Sequence, residues 1–291
     1  MGAFKTTPIE RVKSLTKEEF IEKYYKPQKP VLIEDLTKSW DAYQKWNLDY
    51  IKQLAGDQEV PLYNNQVTKG KQKSAEPAMT MKMSEYIDII KSKPTDLRIF
   101  FFDLMKKMPE LAKDFSFPDI GLKFFKRLPV MFFGSTGSNV LVHYDMDLAD
   151  LIHVHFHGTK SVLLFNPEQT KYLYRVPFSV HNLETIDMDN PDFETYPALK
   201  KVHGITAEMK HGDALYIPSS YWHYIKYLNG GFSMTLRAFS KNPLVFLNML
   251  YNLLFMRHFE NLMRKTFGQK WLNFKDKKAI KNTHRALAKA S

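Results

Sequence analysis

From about residue 98 to residue 240 the chain is broken into short β-branched and aromatic runs, each closed by a turn signal. This punctuation limits the fold more than any other feature. The runs are Arg98–Phe102, Val130–Phe133, Val140–Tyr144, Leu151–Phe156, Ser161–Phe165, Ala214–Ile217, Trp222–Tyr227 and Phe232–Phe239. Between them stand Gly134, Gly137, Gly158, Asn166-Pro167, Gly212-Asp213, Pro218 and Asn229-Gly230-Gly231. Many short strands with such breaks predict a barrel or jelly roll.

The flanks read differently. Thr16-Lys17-Glu18-Glu19 is a capping box opening an amphipathic helix near Phe20–Tyr25. A short strand is expected at 30–33, a helix at 48–55, a strand at 60–63, a Lys-rich loop at 66–80 and a helix at 81–91. After Pro243 the strand pattern stops. Leu244–Met256 is nearly all apolar, interrupted by Asn248 and Asn252. Its 13 residues fall short of the roughly 20 needed to span a bilayer. A helix apolar on most sides must be buried against something. A basic helical stretch follows over 258–289, with a break near Gly268. The expected organisation is therefore residues 1–240 as the main domain and 241–291 as a C-terminal helical segment. The body divides into a mixed part, 1–97, and a strand-rich core, 98–240.

Cysteine is absent from the 291 residues, so disulfides, thiolate metal sites and cysteine nucleophiles are excluded. Any metal must be held by His, Asp or Glu. A reducing compartment fits, and a cytoplasmic protein is the expectation. The N-terminus carries no apolar run behind a basic start, so no signal peptide is read there. Met1-Gly2-Ala3-Phe4-Lys5-Thr6 fits the short myristoylation pattern only formally. The net charge of +11 is concentrated: residues 241–291 hold 11 Lys/Arg against 2 Asp/Glu. Such a tail can meet nucleic acid, an anionic membrane or an acidic protein, although a solvated helix face is the simpler reading. No phosphate-binding glycine loop, nucleophile elbow or RNA-binding aromatic motif is present.

His143-Tyr144-Asp145 places an imidazole and a carboxylate on one face of a strand. One further histidine would complete the two-histidine, one-carboxylate face used by non-haem Fe(II) oxygenases. That face leaves three positions for a bidentate co-substrate and dioxygen. Alone the pattern is weak, because a chain with ten histidines matches it by chance about as often as not. Some 80 residues on, His211-Gly212-Asp213-Ala214-Leu215-Tyr216-Ile217-Pro218 leads to Tyr221-Trp222-His223. Between the two lies Gly158-Thr159-Lys160-Ser161-Val162-Leu163-Leu164-Phe165-Asn166-Pro167.

These segments, in this order, resemble the signatures of the JmjC/cupin-like Fe(II)/2-oxoglutarate-dependent oxygenases, and most closely the asparaginyl-hydroxylase branch that acts on hypoxia-inducible factor. The Asp187-Met188-Asp189-Asn190-Pro191 stretch resembles the same branch. The resemblance covers roughly residues 10–240 and implies a mainly β double-stranded β-helix (jelly roll) with flanking and C-terminal helices. It implies that His143, Asp145 and His223 are the iron ligands and that Lys160 pairs with the distal carboxylate of 2-oxoglutarate. It also implies homodimerisation through the C-terminal helices, for which the apolar 244–256 run asks independently.

Three positions depart from the pattern. Val140 stands where the family often has Thr or Ser, Phe100 where it has a co-substrate-binding Tyr, and Arg237 where it has Asn. Arg237 is expected to take over part of the co-substrate contact, the alternatives being that it binds a different acid or points away from the pocket. His153, His155 and His157 alternate on one strand and so share a face. Roles in hydrogen bonding beside the metal are expected for them rather than a second metal. The remaining histidines, His181 among them, read as surface or loop residues. The expected activity is hydroxylation of a protein side chain. The alternatives are an oxygenase acting on a small molecule or a tRNA base, and a non-catalytic jelly-roll binding module.

Overall fold

The computed structural model describes residues 3–67, 69–71 and 76–289. Met1-Gly2, and with them the start of the myristoylation pattern, lie outside the described residues, as does part of the Lys-rich 66–80 stretch.

Eight strands build the centre: β1 (Val130–Gly134), β2 (Asn139–His143), β3 (Asp150–His157), β4 (Lys160–Phe165), β5 (His203–Met209), β6 (Ala214–Ile217), β7 (Trp222–Tyr227) and β8 (Gly231–Ala238). They fall four and four into two sheets. One runs β5-β4-β7-β2, the other β6-β3-β8-β1. The chain repeatedly crosses from one sheet to the other, as in a jelly roll. Each sheet is extended by N-terminal strands. Lys5–Pro8 pairs in parallel with β5, and Val31–Ile33 adds to β6. Ile99–Phe102 closes the far edge beside β1. The expected mainly β jelly roll with C-terminal helices is the observed architecture.

Side chains divide by strand parity. One large apolar cluster lies on the outer face of the longer sheet, where Met131, Phe133, Ile152, Val154, Phe156 and Met234 pack against the N-terminal helices. A smaller cluster includes Leu151, Val162, Leu164, Leu215, Ile217, Ile225 and Tyr227. The N-terminal helix starts where the capping box requires. Thr16 Oγ1 accepts from Glu19 N at 3.1 Å, and Thr16 N donates to Glu19 Oε2 at 3.1 Å.

The β5 strand was not evident in the sequence. Packing at one position, Gly204, shows why. A Cβ on Gly204 would stand 2.5 Å from Leu163 Cδ1. Packing therefore selects against the bulky residues that mark a strand.

The segment after Pro243 forms α1 (Pro243–Leu250), a wide-turned continuation over Tyr251–Met256, α2 (Arg257–Phe267) and α3 (Gln269–Ala288). Gly268, at φ +52°, separates the last two. A buried charged group ties them together: Glu260 accepts from Arg264, Lys275 and the Trp271 indole at 2.6–2.9 Å. The apolar run itself is not covered. Leu244 is 68% exposed, Leu247 59% and Leu254 68%, with only Met249, Asn252 and Met256 turned inward. No helix among the described residues is long and apolar enough to cross a membrane.

The turn from β3 to β4 sets the start of β4, and with it Lys160. Gly158 sits at φ +80°, and a Cβ there would approach the Gly230 carbonyl oxygen to 2.5 Å. Both the backbone conformation and the close contact demand glycine. Gly158→Ala is expected to cost about 1–3 kcal/mol, read as a lowered denaturation midpoint. A midpoint equal to wild type would show that the turn relaxes freely.

Candidate metal centre and buried lysine

Strands β2 and β7 are neighbours, and their register sets His143 directly opposite His223. The two rings lie 4.2 Å apart between centroids. Asp145 follows on the same side just beyond β2. Its Oδ1 is 3.7 Å from His143 Nε2 and 3.9 Å from His223 Nε2. These three are the metal-capable group among the described residues, with ligand atoms within 4.8 Å of one another.

The hydrogen bonds behind the rings fix their tautomers. His143 Nδ1 donates to the Leu141 carbonyl at 2.9 Å, and His223 Nδ1 donates to the Tyr221 carbonyl at 3.1 Å. A carbonyl can only accept, so both Nδ1 atoms carry the proton and both Nε2 lone pairs face the centre. Burial holds both imidazoles below their ordinary range, and His223, which also faces His143, is held at about 3. For Asp145 burial opposes ionisation, but Arg237 and the two histidines outweigh it and hold the carboxyl at about 2. Two neutral imidazoles and one carboxylate are the protonation states a divalent ion requires.

Arg237, on β8, was expected to reach the co-substrate. Its guanidinium nitrogen NH1 lies 2.9 Å from Asp145 Oδ2 and 2.8 Å from Asp147 Oδ2. It therefore grips the oxygen of Asp145 that faces away from the histidines, leaving Oδ1 for a metal. Asp147 gave no signal in the sequence beyond standing two residues after Asp145.

Lys160 opens β4 and is fully buried. Its ammonium contacts His153 Nε2 and donates to Ser233 Oγ at 2.5 Å. His153 Nδ1 bonds Thr235 Oγ1 at 2.6 Å, and His155 Nδ1 bonds Ser233 Oγ at 2.7 Å. Among the described residues no carboxylate pairs with Lys160. Burial alone pushes its ammonium well below the usual lysine range. Burial and the neighbouring Lys160 lower His153 and His155 likewise. The expected shared face of His153 and His155 thus lines this lysine. His157 is only half-buried and stacks on Phe232. Ser233, Thr235 and Arg237 share one face of β8, and of the three only Arg237 was singled out in the sequence. Phe100 packs on Tyr63 and Phe132, and Val140 on the apolar cluster around Ile225 and Tyr227. His181, read as a loop residue, instead pairs with His143 through a backbone bridge, and its Nε2 is buried.

An uncompensated buried ammonium is costly and is tolerated where an anion is meant to arrive. The buried Arg237 group makes the complementary case. Removing its cation leaves two carboxylates facing each other, so Arg237→Met is expected to destabilise the chain by about 3–5 kcal/mol. Adding Asp147→Asn should restore part of that loss. Urea denaturation of the two single variants and the double variant checks this, and strict additivity would sink it. Asp145→Ala should abolish Mn(II) binding measured by electron paramagnetic resonance.

Comparison with known families matches residues 16–260 to the cupin-like domain. Among curated proteins, tRNA wybutosine-synthesizing protein 5 of Gallus gallus is 29% identical, over 81% of this chain and 78% of its own length. The Mus musculus protein of that name is 26% identical, over 75% and 73%. Lysine-specific demethylase 8 of Xenopus tropicalis is 27% identical, over 79% of this chain but 52% of its own. These relatives carry the family, not the asparaginyl-hydroxylase branch within it. With the match spanning most of the strand-built body and both metal-facing histidines, the chain belongs to the cupin-like (JmjC) domain family.

Proposed function

We propose that the chain is an Fe(II)- and 2-oxoglutarate-dependent dioxygenase that hydroxylates a protein side chain. The observation that carries the reading is the pairing of a tautomer-fixed two-histidine, one-carboxylate group with a buried ammonium lacking a counter-ion. His143, Asp145 and His223 would hold the iron, and Lys160 the distal carboxylate of 2-oxoglutarate. When bound, iron and 2-oxoglutarate activate dioxygen for C–H oxidation, and the co-substrate leaves as succinate and carbon dioxide. The residues supply orientation. Arg237 turns Asp145, the carbonyls of Leu141 and Tyr221 set the imidazoles, and Ser233 with His153 aims Lys160. Phe132 packs on His153 beside Lys160, and Phe100 packs on Phe132.

A second reading is an oxygenase acting on a tRNA base. It is favoured by the wybutosine-synthesizing relatives, most of whose length this chain matches, and by the net +9 of residues 241–291. A tRNA gel shift that weakens steeply with salt supports this reading over the protein one.

Purified protein with Fe(II), ascorbate and 2-oxoglutarate is expected to release succinate slowly, and Asp145→Ala to release none. A wild-type chain that never consumes 2-oxoglutarate, even with a peptide and tRNA library, sinks the proposal. Burial disfavours the charged form of Lys160 in the free chain, and a bound dianion favours it, so affinity should fall as pH rises towards the ordinary lysine range, which calorimetry in two buffers measures. Lys160→Met should lose 2-oxoglutarate binding yet raise the denaturation midpoint by relieving the buried charge.

The reading includes a homodimer. The 243–256 segment is free of charge and exposes Leu244, Leu247, Leu254 and Phe255. In a chain of net charge +11, a neutral apolar face suits a second copy better than an acidic partner. Light scattering is expected to return twice the 34.2 kDa chain mass, and Leu247→Glu with Leu254→Glu to return the monomer.

A further inference from the structure

Arg98 lies outside the machinery just described. It immediately precedes the Ile99–Phe102 strand and shares a side with Phe100, two residues on. Its backbone is bridged to Tyr63. Its NH1 donates to Asn65 Oδ1 at 2.9 Å, and Asn65 is itself held by the Gly137 carbonyl at 2.7 Å. The Nε of Arg98 is sealed from solvent and has no partner. Among the described residues no carboxylate forms an ion pair with it; Asp96 acts on it only from beyond contact. Burial accordingly lowers its pKa from the ordinary arginine value.

This guanidinium lines a cleft of about 310 Å3 together with Asn139 and Leu141 of β2 and Tyr224 of β7. The cleft neighbours the metal group through Leu141, whose carbonyl accepts the His143 ring proton, while Tyr224 turns to the opposite side of β7 from His223. The opposite wall is the 184–189 loop, which brings Glu184, Asp187 and Asp189. Asp189 is neutralised by Lys226 at 2.7 Å, and Asp187 accepts the backbone N–H groups of Asp189 and Asn190. Glu184 faces His181 at 3.9 Å.

We propose that Arg98 is the recognition residue for a carboxylate carried by the substrate, held in this cleft beside the metal group. The inference rests on the oxygenase reading and names the chemistry of its substrate. Guanidinium geometry suits a carboxylate. The three acids of the loop make the cleft inhospitable to a phosphate dianion, whereas one carboxylate can be balanced by Arg98 alone. The carboxylate can sit on a side chain or at the end of a molecule, and two probes separate those sources.

The test uses the full chain and three probes: N-acetylaspartate α-amide, N-acetylglycine and inorganic phosphate. Saturation-transfer NMR reads binding without a metal, and Mn(II)-induced broadening reads proximity to the metal group. At least one carboxylate probe is expected to bind and be broadened. The aspartate probe winning assigns a side-chain source, and the glycine probe a terminal one. Arg98→Met should weaken that binding at least tenfold, and Asn65→Ala should weaken it less, while both keep the wild-type circular dichroism and 2-oxoglutarate affinity. Undiminished probe binding by Arg98→Met overturns the proposal. So does a preference for phosphate, an absence of binding by both carboxylate probes, or a bound probe without Mn(II) broadening in metal-loaded protein. A tenfold loss of 2-oxoglutarate affinity in Arg98→Met also overturns it, by assigning the guanidinium to the co-substrate. Failure of wild type to bind Mn(II) and 2-oxoglutarate is a separate result that strikes the oxygenase reading instead.

Discussion

The pairing of β2 with β7 is the constraint on which the site depends. Antiparallel register sets His143 across from His223, although 79 residues of chain separate them. Side-chain alternation then turns both rings to the same side, and the two backbone carbonyls behind them hold the donor nitrogens inward. A slip of one residue in that ladder would turn one imidazole to the opposite face. The pairing is fixed from outside the site. The buried Val142 of β2 and Trp222 of β7 pack in one cluster on the opposite face.

Charge in the interior is arranged as two unequal problems. Around Asp145 it is solved within the chain: Arg237 bridges Asp145 and Asp147, so the carboxylate stays ionised despite burial. Around Lys160 it is left open, with neutral hydroxyl and imidazole partners where a carboxylate would normally stand. The first arrangement presents an anion to a cation, and the second presents a cation to an anion. A protein selected for stability alone would gain by replacing Lys160 with an apolar residue. Its place in a packed interior is the observation on which the proposed co-substrate contact rests.

Much of the jelly roll was legible because bulky β-branched and aromatic residues alternate between turn signals. β6 and β7 begin and end at the residues the pattern marks, and the others differ by a residue or two at their ends. β5 was hidden because packing against Leu163 requires a small residue at Gly204. In the site, His143, Asp145, His223 and Lys160 were legible from local motifs. Arg98, Asp147, Ser233 and Thr235 were not, since each gains its meaning from a partner on another strand or loop. Arg237 was singled out, but its place against Asp145 and Asp147 follows from how β8 faces the loop after β2, which spacing cannot state.

The sequence by itself determined the strand-rich core, the absence of thiol chemistry, the presence of His143, Asp145 and His223 as candidate ligands and the uneven distribution of positive charge. These follow from residue type and short-range periodicity, which act locally. Only the tertiary structure decided which imidazole nitrogen faces inward, which oxygen of Asp145 is turned from Arg237, that Lys160 meets no carboxylate among the described residues, and that most of the apolar 244–256 segment stays exposed. Hydrogen-bond direction, burial and ion pairing are properties of distances between residues far apart in the chain. They come into being when β2 meets β7 and β3 meets β8.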